Sequence, residues 1–294
     1  MSSEHLIAQF KALADPVRLR IVALCANGEC SVSELTKVMS QSQPRISQHV
    51  KQLLDAELLE RFRDGHFVYY RVPQRGGDAP LRRRVLALIP DDEPMFGRDV
   101  ERLRELRGIS DSVPVLSEET VDSRRLHRAL VELTVAAPLG DLLDIGSGQG
   151  RILKLLASRA HRAIGVDIDP DARQFARSEL LLAGVENASL RKGNMYELPF
   201  DDAEFDTIIL DDVLFDADEP LLAMCEARRL LRPTGRLLLL DSVADGDAVA
   251  HETRFSSWCQ ASGMRLAPPR RIPSTQPRWL LGVATPAQSE TVAA

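Results

Sequence analysis

LLDIGSGQGRILKLL, Leu142 to Leu156, joins an apolar, strand-like run to a helical one through three glycines at alternate positions. Glycine lets a backbone pass close to a ligand, and the free N–H groups opening a helix favour an anionic group. A dinucleotide site asks for G-x-G-x-x-G, whose third glycine lets the helix pack closely on the strand. Counted from Gly146, that third position is Arg151, which does not fit. The spacing present is D-x-G-x-G-x-G, with Asp144, Gly146, Gly148 and Gly150 around Ser147.

From Asp141 onward, apolar runs alternate with helical ones: DLLDIG, RAIGVDI, ASLRKG, FDTIILDD and GRLLLLD, each followed by a helical stretch except the third. This alternation predicts an α/β fold with a mainly parallel sheet and right-handed crossovers. Chemistry-bearing residues fall at the strand ends. Asp167, followed by Ile168, stands where a carboxylate accepts both hydroxyl hydrogens of a ribose. Asn194 and Met195 follow the third strand, placed to meet an adenine amino group and ring face; Asp211, Asp212 and Val213 end the fourth. Together they converge on the switch point of such a sheet.

Over roughly residues 121–285 these features resemble a class I S-adenosylmethionine-dependent methyltransferase, a Rossmann-like domain closed by a C-terminal antiparallel hairpin. The resemblance implies that Asp144, Gly146, Ser147, Gly148 and Gly150 hold the methionine end of S-adenosylmethionine or S-adenosylhomocysteine. It assigns Asp167 to the ribose and Asn194 and Met195 to the adenine. Family members commonly carry Asp at the position of Asn194. No side chain declares itself catalytic; His251, after the LLLLD strand, is the candidate base. The D/N-P-P-Y signature of amino-group methylation on DNA bases is absent.

Upstream, DPVRLRIVALCANG predicts a helix capped by Asp15 and ended by Gly28. SVSELTKVM gives a second helix and PRISQHVKQLLDAEL a third, with Ile46, Val50, Leu53 and Leu54 on one stripe. The opposite face carries Gln43, Arg45, Ser47, Gln48, His49 and Lys51, side chains that bond base edges and phosphates. LLERFRDGHFVYYRV follows as a hairpin turning at Asp64-Gly65 and bearing Arg61, Arg63 and His66. Residues 6–72 resemble the ArsR/SmtB family of winged-helix repressors. That resemblance implies a homodimer on double-stranded operator DNA, built on the first helix (Leu6, Ile7, Phe10) and a helix from Leu81 to Ile89. Many members sense metal through paired cysteines at the start of the second helix of the motif; here GECSVSEL keeps Cys30 alone, with Cys25 five residues before it. The expectation is no metal site, with a Cys25/Cys30 thiol switch left open.

Composition fits this two-domain reading. The net charge of −6 hides an asymmetry: 9 Lys/Arg against 8 Asp/Glu in residues 1–73, but 17 against 23 in residues 141–294. The acidity therefore does not argue against DNA binding by the first block. Neither a signal peptide nor an apolar run of membrane-spanning length is expected, so the chain is placed in the bacterial cytoplasm. The expected order is a DNA-binding domain at 1–73, a helical dimerisation segment at 74–120, the methyltransferase-like domain at 121–285 and a flexible tail at 286–294. Such a chain is expected to be a transcriptional regulator that senses S-adenosylmethionine or S-adenosylhomocysteine, methylates an acceptor the sequence does not identify, or both. The competing expectation is a small-molecule methyltransferase whose winged helix serves only dimerisation.

Overall fold

The computed structural model describes residues 3–64, 67–73, 86, 93–107, 121–243 and 247–287. Gly65 and His66 at the hairpin tip, most of the expected helix from Leu81 to Ile89 and the tail from residue 288 lie outside the described residues. Two compact units emerge, one of Met1–Val113 with Arg177–Ser189, the other of Pro114–Ala176 with Leu190–Ala294.

The first unit begins with α1 (Ser3–Leu13) and α2 (Pro16–Asn27). Asp15 caps α2 by accepting from the N–H groups of Val17 and Arg18 at 2.9 and 3.0 Å, and Pro16 opens its first turn. A short strand, β1 (Cys30–Ser31), leads into α3 (Val32–Met39), whose start is a reciprocal capping box between Ser31 and Glu34. Ser40 ends α3 in the left-handed conformation and turns the chain into α4 (Gln43–Asp55). β2 (Glu60–Asp64) and β3 (Phe67–Arg71) form the wing, and β3 pairs with β1 on its other side.

Ile46, Val50 and Leu53 of α4 enter a core with Ile21, Leu24, Leu35 and Val38. The helical pattern around 97–108 forms α5 (Pro94–Leu106), which adds Leu103 to this core. Arg20 of α2 grips Asp99 of α5 through two hydrogen bonds of 2.6 Å. This helix is therefore an integral part of the winged helix-turn-helix unit.

The second unit starts with α6 (Val121–Ala136), then β4 (Asp141–Ile145), α7 (Arg151–Leu156), β5 (Arg162–Asp167) and α8 (Pro170–Leu182). It continues with β6 (Ala188–Lys192), β7 (Phe205–Asp211), α9 (Pro220–Leu230), β8 (Leu231–Ser242) and α10 (Ala248–Ala261). Three strands close the chain: β9 (Met264–Leu266), β10 (Arg270–Ile272) and β11 (Trp279–Pro286). The eight-stranded sheet runs β10-β11-β8-β7-β4-β5-β6, with β9 also on β11. β5, β4, β7 and β8 are parallel, whereas β11 runs antiparallel to β8.

Every residue of β4 is buried, as are Ile208, Ile209 and Leu210 of β7 and Leu237 to Leu240 of β8. Continuous apolar strands of this kind are the mark of a parallel sheet covered on both faces. The chain winds from β4 toward β5 and β6 on one side and returns to β7 and β8 on the other, so the switch point lies between β4 and β7.

Candidate functional site

The glycine loop occupies that switch point. Gly146, Gly148 and Gly150 have φ of 71°, 49° and 76°, a region that costs other L-residues strain. The N–H groups of Gly146 and Ser147 both bond the Val166 carbonyl, at 2.8 and 2.9 Å, tying the loop to β5. A Cβ on Gly146 would stand 2.2 Å from Val213 Cγ1, and one on Gly150 would stand 2.9 Å from Ala176 Cβ. Two of the glycines therefore answer to packing as well as to φ.

Asp144 and Ser147 are buried beside the loop, and neither Asp144 Oδ1 nor Ser147 Oγ has a hydrogen-bond partner among the described residues. Burial, reinforced by repulsion from Asp211, holds the Asp144 carboxyl well above the usual carboxylate range. Unsatisfied buried polar atoms are costly, and these two leave the cradle with polar groups that a polar ligand would satisfy. Donors, acceptors and left-handed glycines together fit the methionine end of S-adenosylmethionine, with its carboxylate and ammonium.

Asp167 ends β5 and faces back to the loop: Oδ2 accepts from Gly148 N–H at 2.7 Å and Oδ1 from Asp169 N–H at 2.8 Å. Each oxygen keeps a lone pair for a ribose hydroxyl. Ile168 is 66% exposed, leaving an apolar surface next to it. Asn194 is exposed, with its Oδ1 taking Tyr196 N–H at 3.2 Å, while Met195 packs partly against the core. Asp211 meets Arg151 at 3.1 Å. Burial pushes the Asp211 carboxyl up to about 6; Arg151 opposes the shift and Asp212 adds to it. Arg151, at the position where a dinucleotide loop has glycine, thus bridges the start of α7 to the end of β7.

In the first unit, Gln43, Arg45, Ser47, Gln48 and Lys51 are exposed along α4. His49 is half-buried, its Nδ1 3.7 Å from the Asp15 carboxylate at the start of α2. Arg61 and Arg63 are exposed on β2. The first turn of α4 has no side-chain cap.

Cys25 and Cys30 are both buried, and a hydrogen bond from the Cys25 thiol to Cys30, together with burial, pushes the Cys25 thiol well up. Among the described residues no group of three or more His, Cys, Asp or Glu is arranged to hold a metal ion. None of the described helices is long and apolar enough to cross a membrane. Asp241, buried at the end of β8 beside Asp212, went unmarked by the sequence; its one signal is its place after the apolar run LLLL.

Residues 143–239 match the methyltransferase domain family, and residues 15–61 match the arsR family of bacterial regulatory proteins. The arsenic resistance transcriptional regulator ArsR1 of Pseudomonas putida is 48% identical over 102 residues, 33% of this chain and 76% of that protein. The uncharacterized methyltransferase YcgJ of Bacillus subtilis is 28% identical over 162 residues, 55% of this chain and 59% of that protein. An uncharacterized 37.1 kDa protein in transposon TN4556 of Streptomyces fradiae is 30% identical over 169 residues, 54% of this chain and 48% of that protein. The chain spans about half the length of these last two relatives. The crystal structure of YcgJ aligns at 19% identity over 55% of this chain and 99% of that one, with a TM-score of 0.46. The match to ArsR1 and the two family matches meet on the same features as the helix-turn-helix and the glycine loop. The chain belongs to the arsR family of bacterial regulatory proteins and carries a methyltransferase domain behind its DNA-binding module.

Proposed function

We propose that this chain is a cytoplasmic, homodimeric transcriptional regulator whose methyltransferase domain binds S-adenosylmethionine or S-adenosylhomocysteine and passes the ligand state to operator affinity. The single observation that carries DNA reading is the exposed polar face of α4, where Arg45 and Gln48 stand near an uncapped helix start. Arg and Gln are side chains that bond guanine and adenine edges in the major groove, and free first-turn N–H groups suit a phosphate. Arg61 and Arg63 on the wing add contacts to the backbone. The α1 side chains Ile7 and Phe10, 51% and 49% exposed, offer the apolar face a homodimer needs.

Ligand binding is supported by the unpartnered Asp144 and Ser147 atoms and by the left-handed glycines. Asp144 and the turn from Gly146 to Gly150 would hold the methionine end, Asp167 the ribose, and Asn194 and Met195 the adenine. S-adenosylmethionine brings a methyl group on a sulfonium, ready for in-line transfer. A methyltransferase that used the winged helix only to dimerise would leave the exposed Arg45, Gln48, Lys51, Arg61 and Arg63 without a task.

Calorimetric titration with S-adenosylmethionine tests the ligand half of this reading. Asp167→Ala removes the acceptor for the ribose hydroxyls and is expected to weaken binding roughly 10- to 100-fold, the range for hydrogen bonds to a charged group. Its circular dichroism spectrum should match wild type. Unaltered affinity would move the ligand away from β5.

A further inference from the structure

A second group of side chains lies at the carboxyl ends of β7 and β8, next to the glycine loop through Val213. Asp212 has a left-handed φ of 52° and takes the backbone N–H of Ser242 on Oδ1. Asp241 is 5% exposed, and its Oδ2 has no hydrogen-bond partner among the described residues. That oxygen lies 3.9 Å from Nε2 of His251 on α10.

The imidazole is held in place on two sides. Its Nδ1 is 2.9 Å from the carbonyl oxygen of Asp247, and its ring stacks on Phe215 at a centroid separation of 4.0 Å. A carbonyl cannot donate, so Nδ1 carries the hydrogen, and Nε2 is the nitrogen that accepts when the ring takes up a proton. Trp258 meets Phe215 edge-on at 5.1 Å, and the Arg254 guanidinium lies 5.1 Å from the same ring.

Asp241 Oδ2, which has no partner among the described residues, and His251 Nε2 thus stand 3.9 Å apart. The gap is too long for a hydrogen bond between them, yet within the reach of two bonds of about 2.9 Å that meet at one nitrogen. A group able to donate twice, set against acidic side chains and an aromatic wall, is a primary ammonium. This arrangement differs from a base oriented by a carboxylate on its far nitrogen, because Asp241 and the incoming proton share the Nε2 side.

We propose that Asp241 and His251 form the acceptor subsite of the methyltransferase domain and bind a primary amine, each taking one hydrogen of its ammonium group. His251 then removes the proton that blocks the nitrogen. One N–H bond of the ammonium breaks, its electron pair stays on nitrogen as the nucleophilic lone pair, and the proton forms a new bond at Nε2, giving imidazolium. The subsite rests on the reading that the neighbouring glycine loop holds S-adenosylmethionine. Asp241 is pushed up to about 8 by burial and by its hydrogen bond and repulsion with Asp212, with a further push from Asp216. A bound cation therefore displaces its proton, and amine affinity should rise with pH up to that value. Among the described residues, the charged and titratable groups bearing on the pair are Asp212, which follows β7, and Asp216 beyond it, with the Arg254 guanidinium of α10 over the Phe215 ring that stacks on His251.

The test is calorimetric titration of benzylammonium into the full chain saturated with S-adenosylhomocysteine, whose own affinity is measured first. Wild type should bind the amine, and Asp241→Asn and His251→Asn should each weaken it roughly tenfold or more. S-adenosylhomocysteine affinity and circular dichroism should stay unchanged in both variants, and the pH dependence should vanish in Asp241→Asn. Absence of amine binding while S-adenosylhomocysteine still binds, or binding that survives both substitutions, would overturn the subsite. A wild-type chain that does not bind S-adenosylhomocysteine would sink the glycine-loop reading, and this subsite with it.

Discussion

Gly146 carries two constraints at once: a left-handed φ of 71° and a Val213 side chain where its Cβ would stand. The first constraint was legible in the D-x-G-x-G-x-G spacing, because only glycine takes such backbone conformations freely. The second was not, because Val213 reaches the loop only once β7 lies beside β4. Asp167 was legible for the same reason as the glycines, standing at a strand end in the expected register. The Arg151–Asp211 ion pair and the Asp212–Asp241 contact escaped the sequence, since each joins residues about thirty or more positions apart whose partnership is made by the sheet. Asp241 also sets a pH dependence. Its folded pKa, about 8, lies above the ordinary 3.8, so the folded chain holds a proton that the unfolded chain releases. Its favourable contribution is complete below 3.8 and is lost as pH rises toward about 8. Thermal unfolding should therefore show Asp241→Asn gaining on wild type across that window; parallel curves would place the proton elsewhere.

The helix α4 is the element whose two faces were plainest in the sequence. Its apolar stripe at Ile46, Val50 and Leu53 is buried, and the residues between them are exposed, apart from the half-buried His49 beside Asp15. A 3.6-residue period fixes such a division from sequence alone. How α5 would be used was not legible: the pattern gave a charged amphipathic helix, but only the fold shows Leu103 in the winged-helix core and Asp99 against Arg20. Two expectations belong at this scale. Arg45→Ala should lower affinity for a specific operator by about 1–3 kcal/mol for each base contact removed while S-adenosylmethionine affinity holds; equal operator binding in a fluorescence anisotropy titration would free α4 of that role. Arg20→Ala strands the Asp99 carboxylate, whose side chain is 3% exposed, and should cost about 3 kcal/mol in urea unfolding. A loss near zero would mean that water reaches Asp99.

At the scale of the whole molecule, one chain joins an arsR-family reading head to a methyltransferase fold. The acidity of the whole chain lies in its second half and does not argue against a nucleic-acid partner for the first. Coupling between two such functions is a free energy shared by both ligands, and values of about 1–3 kcal/mol, or 5–150-fold in affinity, are typical. The most direct measurement is an operator titration with DNA from upstream of the protein's own gene, run without ligand, with S-adenosylmethionine and with S-adenosylhomocysteine. The account predicts specific binding whose affinity changes at least about fivefold with ligand identity. Specific binding that is the same in all three conditions, or no binding at any salt concentration, would contradict it.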